Sequence, residues 1–205
     1  MKTTTKAKRV WIRGLLIMTF FSVVFVLLQP RSAWAAQLTE HRLEPGDTYS
    51  VMEKKSSKKY GHVEVIIDKP GTYTLTGSPN ASDTVKNTTV RIDPPKNSNI
   101  TVFIDNVRLS PSTGDDVSAI VIGDGGGTVR LISKNEHNHF VGRGQYPAIR
   151  KDNTNTKLIF DSDGTGVITA YADEHAFRVC AIGCHSPNIA FLSRVWAKGD
   201  GKHLL

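Results

Sequence analysis

Three Ala-Ile pairs set the frame for this chain. They stand at Ala119-Ile120, Ala148-Ile149 and Ala181-Ile182, 29 and then 33 residues apart. Each pair leads into an alternating run ending in serine: Val129-Arg130-Leu131-Ile132-Ser133, Leu158-Ile159-Phe160-Asp161-Ser162 and Ile189-Ala190-Phe191-Leu192-Ser193. Gly, Asn, Asp and Pro fill the intervals. A repeat of roughly 20–50 residues is the signature of stacked units. Here each unit is made of short alternating strands and turns, with no helical period, so the stack is a β-solenoid. The expected fold is all-β, a right-handed parallel β-helix, because crossovers between parallel strands are right-handed. Val129, Leu131, Leu158, Phe160, Ile189 and Phe191 should face inward in columns, as parallel sheets bury their apolar positions.

The strand pattern begins before the clear repeats. Val63, Val65 and Ile67 alternate with His62, Glu64 and Ile66 until Pro70-Gly71. Tyr73 and Leu75 share the next face. Val90 and Ile92 precede Pro94-Pro95, and Ile100, Val102 and Ile104 precede a turn at Asp105-Asn106. Gly123-Asp124-Gly125-Gly126-Gly127 reads as a solenoid corner, since glycines permit left-handed backbone angles. It is no phosphate loop, because Thr128-Val129-Arg130 starts a strand where that loop needs a helix. Residues 59–205 are therefore assigned to the β-helix. Residues 37–58, with the turn Glu44-Pro45-Gly46-Asp47 and the basic run Lys54 to Lys59, are expected to cap or link its N-terminal end. Near the other end, Val195 to His203 repeats Val167 to His175 at a shift of 28, and no further Ala-Ile-Gly follows. The expectation is a chain that stops mid-repeat, a fragment of a longer protein or a frameshifted product.

Charge is distributed unevenly. The net charge is +7, but residues 1–36 hold six of the 26 basic residues and no acidic one. Without them 20 basic residues face 19 acidic ones, so nucleic acid and anionic membrane are not expected partners. Those 36 residues have the parts of a secretory signal: a basic region to Arg13, an apolar run from Gly14 to Leu28, and Ala33-Trp34-Ala35 as a small-x-small cleavage site. Fifteen residues rise only about 22 Å as a helix, short of the roughly 30 Å hydrocarbon core. Cleavage after Ala35 or Ala36 is expected, with the membrane met only through this segment and the mature chain secreted or at the cell surface. Export permits a disulfide between Cys180 and Cys184. In an extended strand their Cα atoms would lie about 13 Å apart, beyond the roughly 4.4–6.8 Å that a bridge needs. A turn at Gly183 would close that gap, and two small packed side chains are the other reading.

The wording of the repeat adds a resemblance. Asn135 to Gly142, Ala148-Ile149, then Leu158-Ile159-Phe160-Asp161-Ser162-Asp163-Gly164-Thr165-Gly166-Val167-Ile168-Thr169-Ala170, then Ala181-Ile182-Gly183, resembles the repeat of secreted right-handed parallel β-helix surface proteins of Gram-positive bacteria, of the carbohydrate-binding-domain type. The similarity spans about residues 119–203, with Cys184 where a second glycine is usual. It implies a surface protein that meets carbohydrate.

Candidate chemistry is sparse. Tyr73, Tyr146, Tyr171 and Trp196 are the aromatics expected to stack on sugar rings. Asp161 and Asp163 could hold Ca²⁺ with backbone oxygens, although a plain turn needs no ion and the distal Glu of a calcium loop is missing. Glu136-His137-Asn138-His139 offers two imidazoles to a metal, or is an exposed loop. Arg150, Lys151 and Asp152 could serve a polysaccharide lyase, in which a cation neutralises a uronate and a base takes its α-proton. No Gly-x-Ser-x-Gly or His-Glu-x-x-His motif occurs. The expected function is a non-catalytic β-helix module that binds cell-wall or extracellular polysaccharide and needs no cofactor. A lyase-like enzyme and a truncated, functionless remnant are the alternatives.

Overall fold

The computed structural model describes residues 38–53, 61–111, 117–144, 146–151, 155–172 and 181–183, with the backbone of the strands at 189–191 and 194–198. The chain divides into residues 1–35 and 36–205, and all described residues belong to the second unit. The signal segment with Ala35 and Ala36, the lysine run 54–59, Asp152, Cys180 and Cys184 lie outside the described residues.

Fifteen strands follow one another with a single 3₁₀ turn, Ala81–Asp83, among the described residues. They are β1 Thr39–Arg42, β2 Thr48–Ser50, β3 Val63–Ile67, β4 Gly71–Thr76, β5 Thr88–Ile92, β6 Asn99–Asp105, β7 Arg108–Leu109 and β8 Ile120–Ile122. The series continues with β9 Thr128–Ser133, β10 Asn138–Gly142, β11 Ile149–Lys151, β12 Lys157–Ser162, β13 Val167–Ala172, β14 Ile189–Phe191 and β15 Arg194–Lys198. Three parallel sheets result, ordered β1-β3-β5-β8-β11, β2-β4-β6-β9-β12-β14 and β7-β10-β13-β15. The chain alternates between the first two sheets from β1 to β4, then visits all three in turn from β5 to β13. The molecule is a parallel β-solenoid, and the crossover rule gives it a right hand.

The register explains why these sequences stack. Ile120 pairs with Ile149, and Ile149 bridges to Ile182, so the three Ala-Ile pairs occupy one row. Val129, Leu158 and Ile189 make a second row, and Leu131, Phe160 and Phe191 a third. Val129, Leu131, Leu158 and Phe160 are fully buried, as alternation requires. Burying each such side chain contributes about 1.5–3 kcal/mol relative to leaving it in water.

Polar groups turn the corner between the second and third sheets. Asn138 is fully buried, and its side-chain oxygen accepts the Val107 N–H at 3.0 Å. Its Nδ2 lies 2.7 Å from Ser133 Oγ, 3.1 Å from Asn135 O and 3.2 Å from Ile104 O. A buried amide is tolerable only when satisfied in this way. Asn106 holds a φ of 57°, the left-handed angle that lets the Asp105-Asn106 turn close.

Three expectations change. The segment read as a cap or linker contributes β1 and β2, paired with β3 and β4, so a first circuit already stands there. Leu43, Tyr49 and Val51 are buried in it. The tail copies the preceding repeat at a shift of 27 rather than 28: Ile168 pairs with Val195 and Thr169 with Trp196. A one-residue slip exchanges the faces. This register keeps Val195 in the row of buried Ile168. Tyr73 points inward and is 1% exposed. It shares a row with Val102 and Leu131.

Candidate functional site

Outward-facing positions of the sheet β7-β10-β13-β15 gather side chains that alternation removes from the core. Arg108 pairs with His139, and His139 pairs with Thr169, forming one outer row across three strands. The next outer row sets Val141 beside Tyr171. The backbone register extends both rows to Trp196 and Lys198. The His139 and Tyr171 rings meet edge to face, 4.9 Å between centroids and 78° between planes. That contact fixes Tyr171 while leaving it half-buried.

Electrostatics on this face are distinctive. Burial pushes the His139 imidazole below its ordinary range, and the Arg108 guanidinium beside it pushes the same way. His139 is therefore held neutral, able to donate from one ring nitrogen and accept at the other. Arg108 Nε is buried without a hydrogen-bond partner. A half-buried aromatic, a neutral imidazole and a guanidinium on one sheet face can stack on a ring and hydrogen-bond its substituents.

The four aromatics named from the sequence do not converge. The Tyr73 hydroxyl donates to Lys69 O at 2.7 Å within the wall of the solenoid, and its burial removes it from any ligand-stacking role. Tyr146 sits in the corner before β11, with the Arg150 guanidinium 4.5 Å above its ring. Tyr171 is in the outer rows just described, and Trp196 occupies a register position in them.

The carboxylates and imidazoles also separate. Asp161 Oδ1 accepts the Ser162 N–H at 2.8 Å, and Oδ2 lies 3.5 Å from an Arg130 nitrogen. Asp163 is exposed in the following turn, its N–H bonded to Ser133 O. His137 is exposed in a turn, whereas His139 lies on β10 with inward Asn138 between them. Among the described residues no three His, Cys, Asp or Glu side chains cluster closely enough to hold a metal ion.

The lyase-like trio is split by strand parity. Arg150 pairs with Val121 on one face of β11, and Lys151 pairs with Ile122 on the other. Lys151 is fully buried and continues the inward row of Ile67, Ile92 and Ile122. Burial lowers its amine from the ordinary lysine range, and Asp124 partly opposes that shift. An amine inside the solenoid wall does not neutralise a uronate in solvent.

Sequence reasoning passed over Arg108 and paired His139 with the wrong neighbour, His137 instead of Tyr171. The signal lay in the repeat: aligning the circuits sets residues 108, 139 and 169 in one column. Fold and face together define a parallel β-solenoid with a mixed aromatic and basic outer sheet. No protein-family model, no curated protein and no solved structure matches the chain.

Proposed function

We propose that the chain is an exported, non-catalytic surface module that binds polysaccharide on the outer face of the sheet β7-β10-β13-β15. The observation that carries this reading is the His139–Tyr171 edge contact beside Arg108 on a parallel sheet. An aromatic offers its face to the apolar side of a sugar ring, while the imidazole and guanidinium supply directed hydrogen bonds to hydroxyls or carboxylates. Strands stacked ~4.8 Å apart set Arg108, His139 and Thr169 in one line along which an extended polymer can lie. The repeat's likeness to Gram-positive surface β-helices supports carbohydrate as the ligand class, and the secretory pattern of residues 1–36 supports a site of action outside the membrane. The separation of Arg150 from Lys151 counts against the lyase reading.

Retention of residues 37–205 on cellulose, pectin and peptidoglycan tests the reading. Binding to at least one polymer is expected, weakened about tenfold or more in Tyr171→Ala and His139→Ala, as for residues that dominate an interface. No retention on any of the three would overturn it. Release of unsaturated, ultraviolet-absorbing sugar products would replace it with the lyase.

A further inference from the structure

A second concave site lies away from that sheet, at the corner between the first and second sheets. The cleft is about 420 Å³ and is lined by Lys96, Asp124, Gly125, Gly126 and Asn155, which come from three successive circuits. That volume falls within the range of small-molecule pockets. The glycine-rich run builds it. A Cβ on Gly125 would sit 1.8 Å from Pro94 O, and one on Gly127 2.6 Å from Pro95 O, so the run must pass bare over the loop beneath. Gly126 adopts a φ of 82°. The Lys96 stem runs under it, with Cγ 3.7 Å from where a Gly126 Cβ would be. Asp124 is thus the single side chain between Gly123 and Gly127.

Three hydrogen bonds from two side chains set the floor and orient that carboxylate. Buried Thr156 donates through Oγ1 to Gly123 O at 2.8 Å and accepts from Gly126 N at 3.2 Å. Asn155 Nδ2 donates to Asp124 Oδ1 at 2.9 Å. The cleft then presents a carboxylate acceptor, an amide oxygen and an ammonium donor. A bare cation would face the Lys96 ammonium, and a small anion would face the Asp124 carboxylate. A hydroxyl suits both, since it donates to one and accepts from the other.

We propose that this cleft binds one neutral polyhydroxyl ring or chain, such as a single hexose or a sugar alcohol, through neighbouring hydroxyls. It is separate from the sheet face and does not depend on polymer binding there. The site is open, so the expected affinity is on the order of millimolar.

Saturation-transfer NMR on the full chain with glucose and with sorbitol tests it, with calcium chloride and sodium acetate as competing probes. Transfer to at least one polyol is expected, unaffected by either salt at equal concentration. Asp124→Ala and Asn155→Ala, both at exposed turn positions, should each weaken it at least fivefold. Absence of transfer from both polyols, or equal transfer in wild type and Asp124→Ala, would overturn the proposal. Displacement by calcium would make this a cation site and displacement by acetate an anion site, and either result also overturns it. Loss in Tyr171→Ala alone would assign the signal to the sheet face.

Discussion

At the scale of single residues, one buried amide and two half-buried imidazoles carry unusual weight. Asn138 joins the Val107 N–H to acceptors on Ile104, Ser133 and Asn135. Replacing it with leucine keeps the bulk and takes the acceptor from the Val107 N–H, whereas Ile104 O, Ser133 Oγ and Asn135 O keep other partners; an unpaired buried donor costs about 1–3 kcal/mol. Asn138→Leu should therefore lose about 1–3 kcal/mol, read as a lower urea midpoint at unchanged slope. The second case is titration. Burial holds His62 and His139 below the ordinary histidine range, with Arg108 adding to the effect at His139. The unfolded chain then takes up protons first on acidification, so stability is level above about pH 6.5 and is lost as pH falls through that value. A melting temperature that drops between about pH 7 and 5 is expected, and the double variant His62→Gln/His139→Gln should flatten the profile. A flat profile in the wild type would contradict the assignment.

At the scale of elements, strands and corners obey different rules. Two corner glycines illustrate this. A Cβ on Gly125 meets backbone, Pro94 O, at 1.8 Å, whereas Gly164 has a φ of 76° and nothing within 4 Å of its missing Cβ. Gly164→Ala should cost only about 1–2 kcal/mol, from the left-handed angle. Gly125→Ala must displace the loop below it and should cost more, about 1–3 kcal/mol of overpacking together with loss of the cleft's shape. Thermal melts of the two variants side by side check the ordering.

The same contrast explains what could be read from the sequence. Rows such as Ile120-Ile149-Ile182 were legible because alternation and the repeat fix parity independently. Tyr73 was misplaced because a strand gives parity but not its sign: a tyrosine suits a core and a surface equally well. Lys151 was misplaced for the opposite reason. Its charge suggests solvent, yet its row had already committed it inward. The 28-residue alignment of the tail matched composition, while hydrogen-bonded register settled on 27 to keep Val195 behind Ile168. The cleft at Asp124 was invisible because it joins residues of three circuits, and a linear reading shows only a flexible-looking glycine run.

At the scale of the whole molecule, each circuit is held mainly by the circuits on either side. Stability in such a stack is approximately a sum of circuit and neighbour terms. β6 is paired on both sides, with β4 and β9, and β9 with β6 and β12, whereas among the described residues β1 and β2 each have a single strand partner. Amide hydrogen exchange should accordingly be slowest over 99–105 and 128–133 and measurably faster over 39–42 and 48–50. Uniform protection across all four strands would mean that the solenoid opens as one unit.

The corners have a further use. Successive Ala-Ile pairs are separated by 29 and then 33 residues, yet their isoleucines remain in register. Length differences between circuits are absorbed outside the sheets, which behave as a ruler that ignores what is threaded between its marks. A foreign peptide spliced at Gly164, where the corner is exposed and uncrowded, would be carried at a fixed address on that ruler. Spliced into several corners, copies would be displayed at intervals set by the stacking of the strands and not by the lengths of the inserts.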